Sequence, residues 1–127
     1  MTINVPLLRK ALKHVTARPE EWDQSTWAFR TSCGTVYCLA GHIATMAGWK
    51  PEWNSLWEAR VFTKDGARRF APDVAAEALG VDERTSLVNV ENNEYLFAAG
   101  NSLDDLWRIA SKLTDGEIEV PEDLPEL

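Results

Sequence analysis

Apolar positions recur at three- and four-residue spacing in several stretches of the chain, and residues that start or stop helices bound most of them. Leu8, Leu12 and Val15 share one helical face. Asn4 precedes them as an N-cap, and Pro6 occupies a first-turn position where a missing N–H costs nothing. A helix over Val5 to Ala17 is predicted, ending at Arg18-Pro19 because the residue before proline is pushed out of the α region. From Thr35 onward, Val36, Leu39, Ile43 and Met46 line one face, while Ala40, Gly41, Ala44, Ala47 and Gly48 keep the helix thin. Thr35 is expected to cap this second helix, and Gly41 and Gly48 to allow close approach of another backbone. Pro51 suits a helix start, and Trp49, Trp53 and Trp57 are four apart, so a helix over Pro51 to Ala59 would carry an indole stripe.

Strand signals are fewer. Glu20 to Ser32 reads as a loop with a short strand over Trp27 to Thr31, and Asp65-Gly66 between Val61/Phe62 and Phe70 is a hairpin signal. Pro72 opens a short helix through Leu79, which Gly80 ends in the left-handed conformation. Asp82 to Asn89 gives a weaker helical turn. Ser102 with Asp105 resembles a capping box ahead of Leu103, Leu106, Trp107, Ile109, Ala110 and Leu113, and Gly116 closes that helix. The pattern predicts a mostly α (α+β) fold of about five short helices around one core with a small β-hairpin. Residues 1–116 are expected as a single globular domain, and 117–127 as a mobile acidic tail.

Composition agrees with one domain: 127 residues, 45% apolar and 26% charged. A chain of this length buries roughly two thirds of its unfolded surface and needs no disulfide or metal to fold. No run approaches the ~20 apolar residues of a membrane span. Lys10 and Lys13 interrupt the first apolar stretch, which therefore does not read as a signal peptide. The expected location is the cytosol, where Cys33 and Cys38 stay as thiols. The net charge of -7 opposes binding to duplex nucleic acid.

Cys33-Gly34-Thr35-Val36-Tyr37-Cys38-Leu39-Ala40-Gly41-His42 is the one segment with distinctive chemistry at close spacing. Cys33, Cys38 and His42 could hold zinc with His14, although C-x4-C-x3-H lacks a second ligand pair of the usual kind. Cys33 near a helix start could act as a nucleophile with His42 or His14 as base, but no oxyanion donors or orienting carboxylate stand at a known spacing. The plainer reading makes Cys38 a small buried hydrophobe and His42 a boundary polar residue, so no cofactor and no metal are expected. Five of the six tryptophans lie between residues 22 and 57. With the interior supplied by the helices, Trp53 and Trp57 beside Arg60, Arg68 and Arg69 are the expected binding residues, since Trp and Arg dominate interface energetics. No glycine-rich phosphate loop is present.

The runs H-V-T-A-R-P-E-E-W-D-Q-S-T-W and C-G-T-V-Y-C-L-A-G-H-I-A, then A-A-E-A-L-G and the L-F before the final helix, resemble a family of small uncharacterised proteins of actinobacterial phages and their hosts. The resemblance spans about His14 to Leu113 and is sharpest at C-G-T-x-x-C-x-A-G, here Cys33, Gly34, Thr35, Cys38, Ala40 and Gly41. Members often carry tryptophan where His42 stands, which counts against an obligatory ligand there. The family implies no reaction. It implies an accessory protein of the infected cell, of a kind that commonly inhibits host proteins or defence systems. The expected function is therefore non-catalytic binding of a host protein. The alternatives are a sponge for a nucleotide-type signal and a small zinc-binding or thiol-dependent protein.

Overall fold

A computed structural model of the chain describes residues 3–32, 34–81, 87–89 and 94–125. The first helix, α1 (Val5–Ala17), forms where the spacing predicts. The Asn4 carboxamide accepts from the Leu7 N–H at 3.2 Å, and Val5, Leu8, Ala11, Leu12 and Val15 make the buried stripe. Strands β1 (Ala28–Thr31) and β2 (Gly34–Val36) follow as an antiparallel pair with Arg30 opposite Thr35. The second helix, α2 (Leu39–Met46), starts three residues later than a Thr35 cap would place it. Thr35 is in a strand, and the cap is Cys38, whose sulfur accepts from the Gly41 N–H at 3.4 Å.

After α2 the expected indole helix does not exist. Pro51 sits inside β3 (Lys50–Glu52), and an irregular loop leads to β4 (Glu58–Ala59). β4 pairs with β1, so strand pairing across thirty residues overrides the four-residue spacing of Trp49, Trp53 and Trp57. β5 (Val61–Lys64) and β6 (Ala67–Phe70) form the hairpin, with Asp65 at φ 51° and Gly66 at φ 86° as its two turn residues. β3 joins β5 on the other side. Then come α3 (Ala71–Leu79), ended by left-handed Gly80, the strands β7 (Leu87–Asn89) and β8 (Glu94–Tyr95), and α4 (Leu103–Leu113). The full Ser102–Asp105 capping box opens α4.

The mostly α expectation of five helices and one small hairpin is thus corrected. The described residues form an α+β fold of four α-helices with two three-stranded antiparallel sheets, ordered β2-β1-β4 and β3-β5-β6, and the β7-β8 pair. The turn expected over Asp82 to Asn89 falls partly outside the described residues, and its end, Leu87–Asn89, is a strand.

α2 is the centre of the core, packed on both α1 and α3. Leu39 and Ile43 meet Leu8, Leu12, Phe62, Leu79, Leu106 and Ile109 in one buried cluster. The acidic stretch after Gly116 contributes too: Ile118 is 1% exposed, its N–H donates to Thr114 Oγ1, and Leu124 packs against the cluster. Among the described residues no helix is long and apolar enough to cross a membrane.

Candidate functional site

The two sheets meet at Ala59-Arg60-Val61, where β4 runs into β5, and this junction positions a surface made of aromatic and basic side chains. Arg30 lies next to Trp57 because the β1-β4 pairing continues past Phe29–Glu58, and the Arg30 N–H donates to the Trp57 carbonyl at 2.7 Å. Between β3 and β4 the loop is tied by Ser55, whose Oγ accepts from the N–H groups of Trp57 and Glu58 at 3.2 and 3.1 Å. A turn held in this way is an ordered platform. On it Leu56 and Trp57 stand 73% and 59% exposed. Trp53, at the start of the same loop, packs partly against the core and carries the Arg30 guanidinium 4.0 Å above its ring. Across β5, Phe70 is opposite Val61, is half-exposed, and touches the Trp27 ring at a centroid distance of 5.6 Å.

The three arginines expected here are placed differently from one another. Arg60 Nε donates to Glu58 Oε1 at 3.0 Å, Arg68 reaches across β5 to Glu52 at 2.9 Å, and Arg69 pairs with Glu77 of α3. Each thus has a carboxylate from its own chain. A phosphate group would have to displace these carboxylates. From Lys50 to Phe70 there are five basic residues against three acidic ones, a balance of +2 in a chain of -7. The structure therefore links Trp53 and Trp57 through Arg30, turns Arg60 to Glu58 at a cleft it shares with Trp27, and sets Arg68 and Arg69 on the neighbouring hairpin beside a cleft of about 270 Å3.

The C-G-T-x-x-C-x-A-G segment is placed elsewhere and mostly inside. Cys33 lies outside the described residues. Gly34, exposed at φ 127°, follows the turn between β1 and β2, and Thr35 is half-buried in β2. Cys38 is 1% exposed, and burial pushes its thiol up to about 11, the opposite of what a nucleophile or a thiolate ligand needs. Gly41 lets the Trp27 carbonyl come close to α2.

His42 is buried, with its Nε2–H donating to the Glu21 carbonyl at 2.8 Å, its ring 4.9 Å from His14 and 5.2 Å from Tyr37. Burial, seconded by the nearby His14, lowers its pKa. His14 in turn meets Glu21 Oε1 at 3.1 Å. The pair joins α1 and α2 to the turn at Pro19–Glu21. Among the described residues no three potential metal-ligating side chains converge.

A larger cleft of about 620 Å3 lies beside Phe29, Thr31 and Val36, against the turn that precedes α4. Asp23 is its charged lining residue, with no lysine or arginine among the described residues that line it. It therefore offers no cation to a phosphorylated ligand.

Sequence reasoning missed Arg30, Leu56 and Phe70. Arg30 has no local signal, because its partners Trp53 and Trp57 come from a loop more than twenty residues away. Leu56 reads as one more apolar residue of a helix that does not form. Neither a protein-family model, nor a curated protein, nor a solved structure matches the chain.

Proposed function

We propose that the protein is a non-catalytic binding protein that engages another protein through the surface around Trp53, Leu56, Trp57 and Arg30. One observation carries this reading: Leu56 and Trp57 stand 73% and 59% exposed, side by side, on a turn held by Ser55. Large apolar side chains presented on an ordered loop and rimmed by arginine have the composition of interface hot spots. Their exposure gives the folded chain nothing, and covering them with a partner removes apolar area from water at about 25 cal/mol per Å2.

The resemblance to small proteins of actinobacterial phages and their hosts supplies the setting: a host protein as partner, in the host cytosol. A nucleotide-type ligand is the weaker reading, because Arg60, Arg68 and Arg69 already hold Glu58, Glu52 and Glu77. Thiol or zinc chemistry at Cys38 is opposed by the burial that keeps its proton on.

The test is affinity capture from actinobacterial lysate with the wild-type chain and Trp57→Ala in parallel. A protein retained in near-stoichiometric amount by the wild type and lost with Trp57→Ala supports the reading. Equal retention by both proteins removes this surface from consideration.

A further inference from the structure

We infer that Arg30 is the anchor for a carboxylate of the partner, so that the surface recognises an aspartate or glutamate side chain flanked by a large apolar one. The inference rests on the protein-binding reading above and specifies the chemistry of what docks there.

Arg30 differs from its basic neighbours. Arg60, Arg68 and Arg69 are each ion-paired within the chain, whereas Arg30 is exposed and has no carboxylate partner among the described residues. Its guanidinium instead lies 4.0 Å over the Trp53 ring. A titratable group in its field is the Tyr37 phenol, which burial pushes up and which is therefore neutral at neutral pH, offering no counter-charge. Stacking on an indole restrains a long side chain at little electrostatic cost and leaves its N–H donors free to bond in the guanidinium plane. A cation held in this way has already lost much of the rotamer freedom that binding would otherwise take from it. The planar group it matches is a carboxylate, bound through two parallel hydrogen bonds.

The surroundings favour the same ligand. Trp57 lies next to Arg30 and Leu56 precedes it on the same turn, so the two can exclude water from an ion pair formed there, provided the partner brings an apolar side chain to cover them. The +2 balance of Lys50 to Phe70 attracts an acidic surface, while the remainder of the chain repels one.

The experiment uses two short synthetic peptides of equal length, one alternating glutamate with leucine and phenylalanine, the other with glutamine at every glutamate position. Binding to the full chain is read from tryptophan fluorescence. The acidic peptide is expected to saturate and to bind at least about tenfold tighter than the glutamine peptide, the scale of a charged hydrogen-bonded pair. Arg30→Gln should erase that preference, and Arg30→Lys, which keeps the charge but not the planar fork, should lose most of it. If both peptides bind equally and Trp57→Ala weakens both, the docking surface stands and the carboxylate inference is overturned. If the acidic peptide binds Trp57→Ala as well as wild type, the docking surface itself is wrong. Failure of the acidic peptide to bind the wild type also overturns the inference.

Discussion

Gly41 of α2 packs so closely under the Trp27 carbonyl that a Cβ at position 41 would overlap the oxygen and press on the Tyr37 side chain. The absence of a side chain here sets the distance between α2 and the segment that leads into β1. Trp27 also supports Phe70 at the surface. Gly41→Ala is expected to destabilise the fold by about 1–3 kcal/mol, the usual cost of overpacking. Gly100→Ala, where nothing lies within 4 Å of the added carbon, should stay within about 0.5 kcal/mol. Urea unfolding of the two variants checks the contrast.

His42 makes the fold sensitive to acid. Burial, and then the neighbouring His14, lower its pKa from the ordinary value of 6.5, while the Glu21 carbonyl and carboxylate act in the opposite direction. The unfolded chain therefore binds this proton more readily than the folded one, and stability rises with pH wherever the unfolded state holds more protons. The contribution is complete above pH 6.5 and declines as pH falls below that value towards the depressed folded one. Urea midpoints measured between pH 7.5 and 5 should fall, and His42→Gln should flatten the curve in that window. A midpoint independent of pH in wild type would count against the buried neutral imidazole.

Cys38 should be inert in the native state. Its sulfur caps α2 at 1% exposure, and its thiol is pushed up to about 11 by burial. Alkylation at pH 8 followed by peptide mapping is expected to label Cys38 only after denaturant is added. Rapid native labelling at this position would revive thiol chemistry.

Elements marked by local chemistry were legible in the chain. Asn4 caps α1, Asp65-Gly66 turns the β5-β6 hairpin, Gly80 ends α3 and Ser102–Asp105 opens α4, each within four residues of the segment it controls. The sheets were not legible, because their pairings are remote: Ala28 finds Ala59, and Pro51 finds Phe62. Spacing misled twice. The interval of four between Trp49, Trp53 and Trp57 imitates a helix, yet Pro51 sits in a strand. Thr35 has cap chemistry, yet the sulfur of Cys38 does the capping three residues later. The site was half visible for the same reason. Trp53 and Trp57 stand close in sequence, but Arg30 joins them only through β1-β4 pairing.

Exposure separates the surface aromatics from the core, and stability can show it. Trp57→Ala is expected to change unfolding free energy by no more than about 0.5 kcal/mol, as for an ordinary surface position. Phe62→Ala, at a side chain with 0% exposure, should cost about 3–5 kcal/mol. Trp53→Ala should fall between them, since its ring is half-buried beneath Arg30. Comparable losses for Trp57 and Phe62 would make the indole a core group.

The most direct measurement places a photoreactive phenylalanine analogue at Leu56, in cells of the proposed host, with the same analogue at exposed Lys13 on α1 as the comparison. A discrete crosslinked adduct to one other protein from position 56, absent from position 13 and lost on adding Trp57→Ala, is the result expected if this surface is where the protein binds. No adduct from position 56, or the same adducts from both positions, would contradict it.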